Sequence, residues 1–226
     1  RNFEGKQGKG FVYLASPAVV AASAVAGFIT TPDQIPEKPA IFQSAVPSPQ
    51  SATKSEKREA RSEKPTVVEG RVWIIPKDDI DTDMIFHNRY LTITDIKEMG
   101  QYTFDNLKGF EDFAKKAQSG DIVITNKNFG AGSSRQQAVD CFLSLGVSCI
   151  LAESYGAIYE RNAINAAMPI LTYSPSILGE IGLNNGDCIK VDFTTGEIIN
   201  VENNKKGLVN KFYDAQLAIY QNGGLL

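Results

Sequence analysis

Asp121-Ile122-Val123-Ile124-Thr125-Asn126-Lys127-Asn128-Phe129-Gly130-Ala131-Gly132-Ser133-Ser134-Arg135-Gln136-Gln137-Ala138 joins two patterns that belong to different secondary structures. Residues 121–125 form a short apolar run of the kind buried as a strand. Residues 136–145 space their apolar side chains as a helix does. Between them, Gly130 and Gly132 permit a tight turn and a close approach of backbone to a ligand. Ser133 and Ser134 are expected at the helix N-cap, where hydroxyls and free backbone N–H groups converge. Such a helix start attracts anions, and Arg135 adds a fork that matches a carboxylate or phosphate. The expectation is a loop that binds a carboxylate-bearing substrate, with one serine taking part in the chemistry.

Working outward, the alternation repeats. A strand is expected over 148–152, a helix over 157–167 and a short strand over 170–173. Upstream, a strand over 70–76 is ended by Pro76. The acidic loop Asp78-Asp79-Ile80-Asp81-Thr82-Asp83 follows, then the apolar Met84-Ile85-Phe86 and Tyr90-Leu91. A helical stretch begins at 95–99, and 104–117 reads as an amphipathic helix. After Gly182 the pattern turns β-like: 188–193, the turn Thr194-Thr195-Gly196, and 197–201 make a hairpin. A closing helix over 212–220 stops at Gly223 and Gly224. The alternation gives an α/β fold with parallel strands plus an antiparallel portion at the end.

The N-terminal part differs. Residues 1–10 are polar and glycine-punctuated, 11–15 read as a short strand, and Ser16-Pro17 stand as N-cap and N1 of an alanine-rich helix over 18–26, with Gly27 as its stop. That helix is small and apolar throughout, so it should pack against something outside this chain. Residues 32–68 then carry six of the ten prolines (Pro32, Pro36, Pro39, Pro47, Pro49, Pro65) and the mixed-charge run 54–64. This composition buries no core and reads as a flexible linker of on the order of 30 Å r.m.s. span, with a solvated helix over the charge run as the alternative. The predicted organisation is a tail of another domain over 1–31, the linker over 32–68 and one substantial domain over 69–226.

A net charge of −3 gives no support for non-specific nucleic-acid binding. Cys141, Cys149 and Cys188 have no C-x-x-C spacing and read as buried thiols of a reducing compartment, not as a disulfide framework or a complete metal site. His87 is the single histidine, which excludes mechanisms needing two. The apolar run 17–29 is too short to cross a bilayer and lacks a signal-peptide layout. The cytoplasm, or an organelle matrix, is the expected compartment. The chain opens on Arg1, so a piece of a longer protein is expected.

Taken together, Asp81-Thr82-Asp83, Arg89-Tyr90-Leu91, Asn128-Phe129-Gly130-Ala131-Gly132-Ser133-Ser134-Arg135, Ala152-Glu153-Ser154-Tyr155 and Arg161-Asn162, in that order, resemble the swivelling domain of the aconitase superfamily. The nearest resemblance is to the small subunit of 3-isopropylmalate dehydratase and homoaconitase, and it covers about 69–226. Arg1-Asn2-Phe3-Glu4-Gly5-Lys6-Gln7-Gly8 and the following alanine-rich helix are similar to the C-terminal end of the large, iron–sulfur-bearing subunit of the same enzymes.

The resemblance implies a swivelling β/β/α domain and a hydro-lyase that isomerises a hydroxy di- or tricarboxylate through a cis-alkene, with leucine biosynthesis as the setting. It implies a [4Fe–4S] cluster in the full enzyme, with ligands upstream of this chain, and the large iron–sulfur domain or subunit as partner. By motif, Ser133 matches the family's base, Asp83 the aspartate of its acidic active-site loop, and Ser134 and Arg135 binders of substrate carboxylate. Arg1 and Lys6 match two arginines of the catalytic body; lysine keeps the charge and loses the fork. Gln136-Gln137 depart from the family's usual Glu-His. Serine is a poor base at its ordinary pKa, so its anion needs backbone N–H groups and a nearby cation, both present in the 130–137 loop.

Simple capping would need neither both glycines nor Arg135, which favours function for Ser133, Ser134 and Arg135. Asp79 and Asp81 are expected to cap backbone, His87 to be an ordinary loop residue, and Arg161 to sit in an ion pair. Arg89 is left open between substrate and packing. Thr92, in the loop 90–94, stands where relatives acting on longer tricarboxylates carry arginine. With no cation there, an apolar substituent such as isopropyl is favoured, since an unpaired carboxylate in a closed site is costly. The alternatives are a homoaconitase-, aconitase- or dimethylmalate-type dehydratase, or a non-catalytic RNA- or carboxylate-binding relative. The acidic balance speaks against RNA.

Overall fold

The computed structural model describes residues 15–35 and 63–225. Arg1, Lys6, all but the last residue of the strand expected over 11–15, and nearly all of the charge run lie outside the described residues. The chain divides into two compact units, 1–62 and 63–226.

In the first unit, helix α1 (Pro17–Ala26) begins at Ser16, whose hydroxyl accepts from the Val19 N–H at 3.4 Å, and ends at Gly27 with φ +82°. The left-handed turn suits glycine because a Cβ there is disfavoured. Ser23 and Thr30 clasp the return: the Thr30 N–H donates to Ser23 Oγ at 3.0 Å. Val20, Phe28 and Ile29 are exposed on this unit.

The second unit is built on a seven-stranded sheet of order β4-β3-β2-β1-β5-β6-β7. Its strands are β1 (Val67–Ile75), β2 (Ile122–Thr125), β3 (Cys149–Ala152), β4 (Ile170–Thr172), β5 (Cys188–Asp192), β6 (Glu197–Asn200) and β7 (Lys206–Leu208). β1 carries the change of character. Its C-terminal half, residues 72–75, pairs in parallel with β2, while residues 67–71 pair antiparallel with β5. β2, β3 and β4 continue in parallel, and β5, β6 and β7 form an antiparallel meander. This is a mixed α/β fold.

The pleat sorts alternate residues into two cores. Ile75, Val123, Ile150 and Ile170 face one side, under α5 (Gln137–Leu145) and α6 (Ala157–Asn165). Val72, Ile122, Ile124, Cys149 and Leu171 face the other, against the meander, α7 (Ser176–Glu180) and Tyr220 of α8 (Asp214–Asn222).

Three expectations are corrected. Residues 104–117 are not one helix: Phe104 at φ +62° and Gly109 at φ +89° break the run, and α4 (Phe113–Lys116) is a single turn. The apolar periodicity was real, since Phe104, Leu107 and Phe113 are all buried, but a chain of turns delivers it. β1 starts at Val67 rather than residue 70. Lys64 and Pro65, read as linker, are built into the second unit: Gln221 exchanges two hydrogen bonds with the Lys64 backbone and Tyr220 donates to the Pro65 carbonyl at 2.8 Å. The single turns α2 (Thr82–Ile85) and α3 (Ile96–Met99) complete the helices, and among the described residues none is long and apolar enough to cross a membrane.

One buried carboxylate ties β1 to β2. Asp121, its side chain only 3% exposed, accepts from Arg71 Nη2 at 2.7 Å, Trp73 Nε1 at 2.7 Å and the Gln118 N–H at 2.8 Å. Burial pushes its pKa up most strongly of any single influence, yet the donors from Arg71, Gln118 and Trp73 together hold it below the usual carboxylate range. A depressed folded-state pKa means stability that is complete above the unfolded pKa and lost as pH falls through the folded one. Asp121→Asn is therefore expected to lower stability by about 3 kcal/mol at neutral pH. Urea midpoints at pH 7 and pH 3 check this: the gap between wild type and variant should narrow on acidification.

Candidate functional site

Past the carboxyl ends of β1, β2 and β3, three loops continue the parallel arrangement, the usual place for a ligand site in such sheets. The loop 126–132 lies in the middle. On one side the Asp79 N–H donates to the Lys127 carbonyl, the Gly130 N–H to Ile80 at 2.7 Å and the Thr82 N–H to Ala131 at 3.0 Å. On the other, the Phe129 N–H donates to Ser154 at 3.0 Å and the Gly156 N–H to Phe129 at 2.8 Å. Asn128, with φ +57°, turns its N–H to Ser154 Oγ at 2.9 Å and its amide to Asp79 at 2.7 Å. The loop is thus stitched on both flanks up to Ala131.

Beyond Ala131 the stitching stops. Among the described residues no acceptor faces the backbone N–H groups of Gly132, Ser133, Ser134 or Arg135, and the Ser133 and Ser134 hydroxyls have no partner. Both serines are exposed. They are not the N-cap that the pattern predicts: α5 starts at Gln137 with Gln136 as an N-cap lacking a side-chain hydrogen bond. The reason is the route of the chain. Gly132 at φ +90° and the Ser133 carbonyl, which accepts from Thr82 Oγ1 at 3.0 Å, hold 132–135 out of the helical path. The serines therefore do no structural capping, and free donors and hydroxyls are left together at a helix start.

Arg135 and Asp83 meet. Nη1 pairs with Oδ1 of Asp83 and Nη2 with Oδ2 at 3.0 Å, and Nη1 also reaches the Phe86 carbonyl at 3.5 Å. The Arg135 side chain is 13% exposed. This corrects the picture of an open clamp: three of the five guanidinium N–H groups are used, leaving Nε–H and one Nη2–H. The hydrogen bond from Arg135, opposed by burial and helped by the Asn88 N–H, holds the Asp83 carboxyl below the usual range. The pair is ionised and locally neutral.

The remaining candidates fall as follows. Asp81 caps α2 by accepting from the Met84 N–H at 2.7 Å. His87 starts a 3-10 turn, its Nδ1 accepting from the Arg89 N–H at 3.1 Å. Arg89 pairs with Asp105 at 2.9 Å. Thr92 is exposed on the loop after that turn. Arg161 is exposed and, among the described residues, makes no ion pair, contrary to expectation. Sequence reasoning missed Thr82, Asp105 and Tyr159. Thr82 was legible within Asp81-Thr82-Asp83; Asp105 lay hidden in a stretch read as helix; Tyr159 looked like ordinary core.

Comparison with known proteins bears on this arrangement. Residues 68–176 match the model of the aconitase C-terminal domain. The methanogen homoaconitase small subunit of Methanothermobacter thermautotrophicus is 34% identical over 71% of this chain and 89% of its own length. The 3-isopropylmalate dehydratase small subunit of Clostridium acetobutylicum is 40% identical over 66% of this chain and 88% of its own. The chain belongs to the aconitase C-terminal domain family. Its fold agrees with the solved 3-isopropylmalate dehydratase (LeuD) of Methanocaldococcus jannaschii, with 32% identity and a TM-score of 0.64 over 70% of this chain and 90% of that one.

The aconitase family implies an iron–sulfur cluster in the complete enzyme, and the described residues do not fit one. Among them no group of three or more His, Cys, Asp or Glu side chains could hold a metal ion. Burial pushes the Cys141 thiol up to about 12 and raises Cys149 as well, the reverse of what a thiolate ligand needs.

Proposed function

We propose that this chain is the substrate-facing small component of a hydro-lyase that removes water from a hydroxy di- or tricarboxylate and adds it back, 3-isopropylmalate being the substrate favoured. The observation that carries the reading is the cluster of N–H groups and hydroxyls at 132–135, unpartnered among the described residues, beside the Arg135–Asp83 pair. Membership in a family that includes dehydratase small subunits supports reading that cluster as part of a dehydratase site.

Ser133 is the proposed base, removing the proton beside a carboxylate. The N–H groups of Gly132, Ser133 and Ser134 and the positive end of α5 stabilise its anion. Arg135 binds a substrate carboxylate through the two donors that Asp83 and the Phe86 carbonyl leave, assisted by Ser134. Asp83 changes role in this reading, from a catalytic group to the residue that orients Arg135. Arg1 and Lys6, outside the described residues, remain proposed carboxylate binders. The linker, which begins at 32 and ends before the second unit starts at Glu63, is proposed to let that unit swing against a large catalytic partner, which holds the cluster.

For the substrate, Thr92 and Ile93 offer no cation for an extra carboxylate. Reconstitution with the large subunit and steady-state assay of 3-isopropylmalate, homocitrate, citrate and dimethylmalate tests this. The largest kcat/KM is expected for 3-isopropylmalate; faster turnover of homocitrate or citrate would refute the assignment.

A further inference from the structure

Arg89 is the only lysine or arginine between Met84 and Thr94. It lies one residue from Tyr90, at the head of the loop 90–94 proposed to choose the substrate. Its surroundings join directly onto the functional pair. The Asn88 N–H donates to Asp83 Oδ1 at 3.0 Å, and Asn106 Nδ2 donates to the Asp83 carbonyl at 3.2 Å. Asn88 precedes Arg89 and Asn106 follows Asp105, so the Arg89–Asp105 pair and the Arg135–Asp83 pair are neighbours on the same two turns.

Asp105 is not an ordinary surface partner. One oxygen, Oδ2, accepts from Arg89 Nη2 at 2.9 Å and from the Tyr90 hydroxyl at 2.6 Å. The other, Oδ1, is buried and has no partner among the described residues. A largely covered carboxylate with one oxygen unpartnered leans on its paired cation, because a desolvated charge is stabilised by pairing. The ring geometry fixes that cation in turn: the Arg89 guanidinium lies 4.8 Å from the Tyr90 ring centroid, and Tyr90 stacks on Tyr102 at 4.0 Å. Arg89 itself is half-exposed, so its side chain has room to swing once released.

We propose that Asp105 is a positioning residue that sets substrate specificity by withholding Arg89 from substrate. With Arg89 held, its charge is matched by Asp105 through one Nη2 hydrogen bond and its face lies on Tyr90, so an apolar substituent meets no unpaired cation. With Asp105 neutralised, Arg89 becomes available to a further carboxylate of a tricarboxylate. The inference rests on the reading that loop 90–94 faces substrate, and it goes beyond the absence of a cation at Thr92.

The test uses the complete enzyme, reconstituted with its large subunit, and two probes, 3-isopropylmalate and homocitrate. Asp105→Asn is expected to raise the ratio of kcat/KM for homocitrate over 3-isopropylmalate by about tenfold or more, the scale set by pairing a carboxylate that would otherwise be desolvated alone. The gain should lie in KM, and adding Arg89→Ala to the Asp105→Asn background should return the ratio to that of wild type. Both variants lack the Asp105 charge, so a purely structural effect would depress both substrates alike. If Asp105→Asn melts too low to assay, Asp105→Leu, branched at the same carbon and apolar, is read by the same ratio. An unchanged ratio, an equal loss for both substrates, or a gain that survives removal of Arg89 would overturn the inference. A wild-type enzyme that prefers homocitrate would instead refute the substrate assignment, while the ratio shift on Asp105→Asn would still decide the role of Asp105.

Discussion

Replacing Ser133 by alanine is expected to cut turnover by about 10²–10⁴-fold, the usual scale for losing a general base, while leaving the fold and substrate affinity nearly intact. The structure separates the two effects unusually well. Ser133 is exposed, its hydroxyl has no partner among the described residues, and its one hydrogen bond within the protein runs through the carbonyl, which the substitution keeps. Had Ser133 been the N-cap of α5, alanine would cost about 1 kcal/mol of stability. Here the change in stability should stay within about 0.5 kcal/mol. Steady-state kinetics on the reconstituted enzyme, with a urea titration of the same variant, checks both halves. Unchanged kcat would remove Ser133 from the chemistry. Lost stability with proportionate loss of activity would make it a structural residue.

The same loop shows what the sequence made legible and what it did not. The strand at 122–125, the helix ending at Leu145 and the two glycines were readable because periodicity and glycine act locally. So were β3, α6 and the β5–β6 hairpin. The loop's flanks were not, because the bonds from Ile80, Thr82 and Ser154 come from residues far along the chain, and no local pattern announces them. Those long-range bonds move the serines off the N-cap. Arg135 carried a legible carboxylate preference, but the nearest carboxylate turned out to be Asp83, 52 residues away. Residues 104–117 misled for a related reason: their apolar spacing served a succession of turns with a positive φ at Phe104. Asp105 and Asn106, which tie that stretch to the site, were hidden by the helical reading.

Gly130→Ala should be the most disruptive single change in the loop, and Gly132→Ala makes it interpretable. Gly130 sits at φ +76°, with its N–H on Ile80 at 2.7 Å and α6 immediately behind it. A Cβ there would lie 2.1 Å from Tyr159 Cγ and 2.4 Å from Tyr159 Cβ. Because even the Tyr159 Cβ is in the way, no other L-residue at 159 relieves the clash; α6 or the loop must shift. Tyr159 is buried and packed edge-on against Phe129 at 5.1 Å, so it has little room to yield. Gly132 has a similar dihedral, φ +90°, but its Cβ would come no closer than 3.9 Å to Asp81 and Thr82. Both substitutions carry a left-handed penalty of about 1–2 kcal/mol. Gly130→Ala alone adds the overpacking cost, for a total of about 2–5 kcal/mol. It should also displace Ser133 and Arg135 relative to Asp83, so turnover should fall further than the stability loss alone would cause. Equal destabilisation of the two variants in urea melts would show that dihedral strain, and not the wedge of Tyr159 against Gly130, sets the position of the loop.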